Sequence, residues 1–145
     1  MDVSFEDLGL SGSVTHGLDP KNRIFIPADF RDKLSDKLHI YRFAVGNKKR
    51  LRVYTDDYYR ARAKVVNEKE EAAETPEELE EADRLSQNFF GKIDDAKMDK
   101  QGRITLSAIQ LSYADIKDEV VIVGKSRYFE IWSVDGWNKA TDDSI

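Results

Sequence analysis

The stretch Asp19–Phe30 reads DPKNRIFIPADF, and a second copy of it, DKQGRITLSAIQ, begins at Asp99. Both copies keep the pattern Asp-x-x-x-Arg-Ile, and in each copy residues that favour strands follow the arginine. Turn-forming residues between two strand-like runs predict a tight turn that joins two strands and exposes basic groups at its tip. The fold is therefore expected to be organised around two copies of one basic turn.

The segments that follow the two motifs correspond as well. Two pairs match in the same order, RFAVG at 42–46 with VVIVG at 120–124, and LRVY at 51–54 with FEIW at 129–132. Such matches at a nearly constant spacing indicate an internal duplication. A chain of 145 residues also suits one core of ordinary size. We therefore expect a single domain over 1–145, with repeat one at about 12–60, a helical insertion at about 61–90 and repeat two at about 91–138.

Local signals predict most of the remaining elements. Residues at helical spacing predict a short helix over Ala28–Leu38, and a strand at Ile40–Val45 then opens a hairpin that turns at Gly46. The second half repeats this order, with a helix at Ala108–Tyr113, a hairpin and a final helix that begins near Ser133. The first ten residues lack periodicity and are expected to be loosely packed.

The middle of the chain carries strong helix-start signals. Thr55 followed by acidic residues predicts a helix over about 56–70. The run Thr75-Pro76-Glu77-Glu78 predicts a second helix with a capping box, which ends at Gly91. The acid-rich stretch Glu68–Asp83 is interpreted as a solvated helical hairpin rather than an acidic binding tail, because its apolar residues keep helical spacing.

Composition excludes several classes of function. The chain has no cysteine, which excludes disulfides, thiolate metal sites and a cysteine nucleophile. It contains no apolar run of the roughly 18 residues that a membrane span needs, and its amino terminus does not resemble a signal peptide, so a cytoplasmic location is expected. No Ser-His-Asp order, glycine-rich phosphate loop or metal-ligand spacing stands out. We therefore expect no enzyme activity, no cofactor, no metal and no small-molecule substrate.

The net charge of -5 is unevenly distributed along the chain. Residues 16–64 carry 13 Lys or Arg against 6 Asp, whereas residues 65–95 carry 3 basic against 11 acidic groups. An acidic total can coexist with a basic face if the acidic middle segment lies elsewhere in the fold. A nucleic-acid partner is therefore compatible with the charge, and most of the basic character falls in the first repeat.

The side chains at the two turn tips suit contact with DNA. An arginine presents five donors in a planar fork, which matches two phosphate oxygens or O6 and N7 of guanine. Lysine adds a point charge, and amide side chains can bond bases. The candidate DNA-binding residues are Arg23, Arg103, Lys21, Lys100, Asn22 and Gln101.

The motif carboxylates, Asp19 and Asp99, are expected to orient the turns, since a carboxylate that faced phosphate would repel it. The alternative is that Asp and Arg form only a salt bridge that fixes each turn. A second basic run, Lys48-Lys49-Arg50 with Arg52, either follows phosphates or is a solvated hairpin tip, and both interpretations stay open at this point.

With both Asp-x-x-x-Arg turns, the run IFIPADFR and the late Glu-Ile-Trp, the sequence resembles the MraZ family of bacterial transcription regulators from Gly12 to Trp137. The resemblance implies an α+β, mainly β fold, in which two AbrB-like swapped-hairpin repeats interleave as one pseudo-two-fold barrel with peripheral helices. It also implies a ring-shaped homo-oligomer that binds short repeats in double-stranded promoter DNA of the division and cell-wall gene cluster. The family usually represses its own operon, which implies a nucleoid-associated repressor.

The chain departs from the family pattern in both repeats. Asn22 stands where glycine is usual in the first turn, and asparagine tolerates a left-handed conformation well. In the second repeat, Ser107 replaces the common Ile-Pro continuation, and Gln110-Leu111 stands where an arginine often follows a leucine. The departures of the second repeat, together with the charge distribution, predict that the first turn contributes more to DNA binding than the second.

A protein of another class is the alternative. An antitoxin-like protein of the same fold would neutralise a toxin partner through the acidic segment at 68–83. Such antitoxins usually combine one short barrel half with a disordered tail, whereas this chain has both halves and a helix-like insertion. The regulator is therefore preferred.

Overall fold

The computed structural model describes residues 7–141, which form eight strands and five helices. The strands are β1 (Ser13–Gly17), β2 (Arg23–Phe25), β3 (Lys37–Val45), β4 (Lys48–Thr55), β5 (Ile93–Lys97), β6 (Arg103–Thr105), β7 (Glu119–Gly124) and β8 (Phe129–Ser133). The helices are α1 (Ala28–Arg31), α2 (Asp56–Ala72), α3 (Pro76–Phe90), α4 (Ala108–Tyr113) and α5 (Val134–Ala140). The order strand, strand, helix, hairpin, helix thus occurs twice, with α3 between the two copies.

The two copies interleave through their strand pairing. Strand β1 pairs with β7 of the second copy, and β5 pairs with β3 of the first copy. The two short strands β2 and β6 pair with each other, and the hairpins join through β4 and β8. Each copy therefore completes its sheet with strands of the other.

The six-stranded sheet has the order β1-β7-β8-β4-β3-β5 and is not closed into a barrel. Strands β2 and β6 form a separate two-stranded ribbon. β2 and β6 have only three residues each, and they pair with each other. They therefore do not join the free edges of the sheet at β1 and β5. The mixed α+β, mainly β architecture agrees with the sequence prediction, whereas a closed barrel is not seen.

The main core lies between the ribbon and the sheet. Ile24 and Ile104, which follow the two motif arginines, face each other in the ribbon and are almost fully buried. They pack with the sheet residues Phe129 and Ile131 in one cluster. The isoleucine of each motif therefore anchors its turn to the centre of the molecule.

A second cluster fixes the long helices. Tyr54, Tyr58, Val66 and Phe89 join α2 and α3 to β4. Thr55 caps α2 by accepting a hydrogen bond from the backbone N–H of Tyr58 at 3.1 Å. The capping box of Thr75 and Glu78 at the start of α3 is present, and α3 ends at Gly91 as predicted. The acid-rich stretch is thus a helical hairpin rather than a tail.

One sequence prediction about the first repeat is wrong, and one about the start of the chain is wrong for the residues that the structure describes. The helix predicted over Ala28–Leu38 ends at Arg31, and Leu38 belongs to β3, where it is fully buried. Spacing four had grouped Leu38 with a helix face, but pairing of β3 with both β4 and β5 satisfies its backbone in a strand. The start of the chain is also better packed than expected. Leu10 is buried and pairs with Ser126, while residues 1–6 lie outside the described part.

Candidate nucleic-acid interface

The first turn is held by one carboxylate. Oδ1 of Asp19 accepts hydrogen bonds from the backbone N–H groups of Lys21 at 2.8 Å and of Arg23 at 2.9 Å. Oδ2 accepts the side-chain Nε–H of Arg23 at 2.6 Å. The backbone N–H of Asn22 also donates to the carbonyl of Asp19 at 3.0 Å, which closes the turn. Asp19 therefore orients both the loop and its arginine.

The second turn repeats this geometry. Asp99 accepts from the backbone N–H groups of Gln101 and Arg103, each at 2.9 Å, and from Nε of Arg103 at 2.8 Å. Gly102 has a φ of 82°, and Asn22 at the equivalent place has a φ of 60°. Because asparagine adopts this left-handed conformation more readily than most residues, the first turn keeps the same bonds without glycine.

The same hydrogen bonds keep the two carboxylates ionised. Burial alone would raise the pKa of Asp19, but bonds from Arg23 and Lys21 lower it below its ordinary value of 3.8. The backbone N–H of Arg103 is the main cause that lowers the pKa of Asp99. Each turn therefore carries a fixed negative charge beneath its arginine at neutral pH.

Each arginine has donors left over. The ion pairs use Nε of Arg23 and of Arg103, and the terminal nitrogens of both guanidinium groups make no hydrogen bond within residues 7–141. The exposed fractions of the two side chains are 28% and 21%. An oriented guanidinium with free terminal donors can bind a phosphate or a base edge, so the salt bridge and a binding role are compatible. The other four predicted tip residues are all exposed: Lys21, Asn22, Lys100 and Gln101.

The ribbon places the two turns at its opposite ends. Arg23 pairs with Thr105, and Phe25 pairs with Arg103, so each turn lies beside the segment that follows the other motif. The backbone N–H of Leu106 donates to the carbonyl of Asn22 at 2.9 Å, and that of Ile26 donates to Gly102 at 2.8 Å. These reciprocal backbone bonds connect each turn to the residue that follows the ribbon strand of the other motif.

Sequence reasoning missed two side chains that lie against the second turn. Nη1 of Arg31 donates to the carbonyl of Gln101 at 3.2 Å. The guanidinium carbon of Arg103 lies 5.8 Å from the ring centroid of Phe25, which is half exposed. Both residues were already part of the run IFIPADFR, but only the pairing of β2 with β6 could have shown that this run lies over the opposite turn.

The second basic run is largely engaged inside the protein. Nε of Arg52 lies 2.8 Å from Oε2 of Glu130, Nε of Arg50 lies 3.4 Å from the same atom, and Glu130 is completely buried. Arg50 itself is buried and lies over the ring of Trp132. Of the four basic residues in this run, only Lys48 and Lys49 are exposed. This run therefore contributes two lysines, rather than four basic groups, to the outer surface.

Neither histidine belongs to a metal site in the part of the chain that the structure describes. His39 is buried, lies 2.8 Å from Oδ1 of Asp56 through Nε2, and stacks on Tyr59. Among residues 7–141, no group of three or more His, Asp or Glu side chains could hold a metal ion. No helix in the same range is long and apolar enough to cross a membrane.

Comparison with known proteins identifies the family. The family model described as "MraZ protein, putative antitoxin-like" matches residues 10–80 and 89–145. The chain is 35% identical over 126 residues to "Transcriptional regulator MraZ" of Corynebacterium efficiens, which covers 87% of this chain and 82% of the relative. It is 31% identical over 129 residues to the protein of the same name from Finegoldia magna, covering 89% and 84%. With a family match over nearly its whole length and relatives of this similarity, the chain belongs to the MraZ family.

Proposed function

We propose that this protein is a sequence-specific DNA-binding transcription regulator, which binds short promoter repeats of the division and cell-wall gene cluster as a ring-shaped homo-oligomer. The observation that carries the proposal is the pair of equivalent turns, in each of which an aspartate holds the Nε of an arginine and leaves its terminal donors free. The names of the relatives, which call them transcriptional regulators, point in the same direction.

The proposed contacts divide by chemistry. Arg23 and Arg103 bind either phosphate or guanine, because the aspartates fix the plane of each guanidinium. Lys21 and Lys100 bind phosphates, which set the position of the protein on the duplex without reading sequence. Asn22 and Gln101 are exposed beside them and supply amide contacts to base edges.

The acidic helices do not oppose this role. Helices α2 and α3 are fixed by the cluster around Tyr54 and Phe89, which is separate from the core that holds Ile24 and Ile104 of the two motifs. The acidic hairpin is thus anchored to a different part of the molecule from the basic turns. This separation supports a basic face on a chain whose net charge is -5.

Repetition compensates for the few contacts that one chain can make. Each phosphate contact adds little affinity and is sensitive to salt, so a monomer of 16.7 kDa with two small turns is expected to bind weakly. Several subunits that engage evenly spaced repeats bind more tightly through linked contacts. The proposed function therefore requires a homo-oligomer, acts at the nucleoid in the cytoplasm, and needs no cofactor, small-molecule substrate or catalytic step.

A gel-shift titration tests the proposal. The probes are the duplex upstream of the protein's own gene and a shuffled duplex of the same length and composition, each at several salt concentrations. We expect tighter binding to the upstream duplex and an observed affinity that falls linearly with salt on a logarithmic scale. Equal affinity for both duplexes, or no binding at about 50 mM salt, would contradict it.

The antitoxin alternative is tested in parallel. The description of the matching family includes the words antitoxin-like, and the acid-rich stretch is the segment that such a protein would use. Here that stretch is the end of α2 and the start of α3, and both helices are joined to the sheet by the cluster of Tyr54, Tyr58, Val66 and Phe89. A folded helical hairpin does not suit a tail that folds on a partner. Recovery of a stoichiometric toxin by the tagged protein, without promoter binding, would reverse the ranking.

A further inference from the structure

Helix α1 belongs to the first repeat but lies over the second turn. Strand β2 pairs antiparallel with β6, and the backbone N–H of Ile26 bonds the carbonyl of Gly102 at 2.8 Å. The chain then enters α1, whose Arg31 donates Nη1 to the carbonyl of Gln101 at 3.2 Å. A Cβ placed on Gly102 would clash with Nη1, Cδ and Cζ of Arg31, so this side chain lies directly across the turn.

Among residues 7–141, no arginine donates an equivalent hydrogen bond to a carbonyl of the first turn. The residue equivalent to Arg31 in the duplicated sequence is Leu111, which is partly buried and packs against the main core. Beyond the lysine and arginine that each motif supplies, the second turn therefore has Arg31 in hydrogen-bond contact.

Arg31 keeps donors free for a ligand. Its only hydrogen bond within residues 7–141 uses Nη1, and it forms no ion pair there. Asp29 and Asp32 lie close in sequence, but residues one or two positions apart on a helix do not face each other. Arg31 is held on the short helix α1, and its guanidinium has no carboxylate partner within residues 7–141. Such a guanidinium is suited to phosphate, which arginine binds through two parallel hydrogen bonds.

We propose that the second turn binds DNA more strongly than the first, and that Arg31, supplied by the first repeat, makes an additional phosphate contact beside Arg103. This inference rests on the proposed DNA-binding function and reverses the ranking that the sequence had suggested. That ranking rested on the basic charge of the first repeat and on the departures of the second repeat from the family pattern. In the structure, however, Arg31 lies at the second turn, and Arg50 and Arg52 contact Glu130.

Reciprocal substitutions test this proposal, because each repeat supplies the control for the other. Arg31→Leu gives the second turn the residue of the first, and Leu111→Arg gives the first turn the residue of the second. Affinity is measured by fluorescence anisotropy on the upstream duplex and on the shuffled duplex, from about 50 to 200 mM salt. Urea unfolding of each variant confirms that it is folded.

For Arg31→Leu we expect roughly tenfold weaker binding to both duplexes at low salt, as for loss of a hydrogen bond to a charged group. The slope of log affinity against log salt should become shallower by about 0.9 for each subunit that engages DNA. Arg31→Lys should restore most of the slope, because it keeps the charge. Leu111→Arg should steepen the slope if it folds, a result that a purely structural role for Arg31 would not produce.

Two further variants sharpen the comparison. Arg84→Leu makes the same change on α3, where Arg84 lies 3.8 Å from Glu80, and should leave the slope unchanged. Arg103→Ala should weaken binding more than Arg23→Ala. Wild-type slope and affinity in a folded Arg31→Leu protein, or a larger loss in Arg23→Ala, would overturn the inference. Failure of the wild-type protein to bind either duplex would instead remove the proposed function.

Discussion

One aspartate side chain does three tasks in each turn. Asp19 and Asp99 each accept two backbone N–H groups and one guanidinium Nε, so the loop and the arginine are fixed together. The turn position before the arginine must also be left-handed, which is why Gly102 and Asn22 occupy it. At the scale of single residues, the turns are therefore specified by a carboxylate, a left-handed position and an arginine.

The left-handed position gives a prediction for Gly102→Ala. Its φ of 82° suits glycine, and an added Cβ would displace the side chain of Arg31. We expect the free energy of unfolding to fall by about 1–2 kcal/mol, the usual cost of a left-handed alanine. Urea unfolding measures this loss. Asn22→Gly is the matched control and should leave stability unchanged or slightly raised, so equal losses in the two variants would contradict the explanation.

Among the elements, the hairpins β3–β4 and β7–β8 meet through a buried charge cluster. Arg52 on β4 pairs in register with Glu130 on β8, and Arg50 and Trp132 also contact Glu130. Burial raises the pKa of Glu130, but the bond from Arg52, the charge of Arg50 and the indole N–H lower it below 4.5 overall. This carboxylate therefore stabilises the joint between the repeats only while it is ionised.

The Glu130 cluster predicts a dependence of stability on pH. Because the pKa is lower in the folded state, the stabilisation is complete above about 4.5 and is lost as pH falls through the folded value. Glu130→Gln should reduce the free energy of unfolding by roughly 3–5 kcal/mol at pH 7, since it leaves the buried Arg50 and the partly buried Arg52 without their counter-charge. Its stability should also fall less than that of the wild type as the pH drops below about 4.5.

Urea unfolding at several pH values measures both effects. Asp135→Asn, which removes an exposed pair with Lys139, is the control and should change stability by less than about 1 kcal/mol. If the free energy of unfolding changed with pH in the same way for the wild type and Glu130→Gln, Glu130 would not be the group responsible for the acid dependence.

Local signals predicted the elements that are fixed by local chemistry. Thr75 and Glu78 form the expected capping box, and Ser133 caps the final helix, because such bonds join residues three apart. Leu38 was misassigned because its strand conformation is set by pairing with Thr55 on β4 and Ala96 on β5, which no local spacing shows. The contact of Arg31 with Gln101 spans 70 residues, and no local pattern encodes it.

At the scale of the whole molecule, duplication explains why the two turns come to lie on one ribbon. Strands of each repeat complete the sheet of the other, so the turns lie at the two ends of the paired strands β2 and β6. The sequence showed two copies of the turn, but not which helix would lie over which copy. Interleaving thus makes the two turns similar in backbone and different in the side chains around them.

The requirement for repeated contacts predicts an oligomer. Light scattering at micromolar protein concentration should give a mass that is several times 16.7 kDa, because one chain offers too few phosphate contacts for stable promoter binding. The mass should be the same for Arg23→Ala, which changes a turn tip and not the core. A monomeric mass across this concentration range would contradict the proposed ring.

The most direct test of DNA binding by the two turns is a salt titration with the double variant Arg23→Ala/Arg103→Ala. Anisotropy with the upstream duplex compares it with the wild type and with Arg84→Ala, whose arginine lies on the acidic hairpin. We expect the folded double variant to lose at least about a hundredfold in affinity at low salt, because two charge-assisted contacts are removed per subunit. Its salt slope should be shallower, while Arg84→Ala should match the wild type. Wild-type affinity and slope in the folded double variant would contradict the claim that these turns bind DNA.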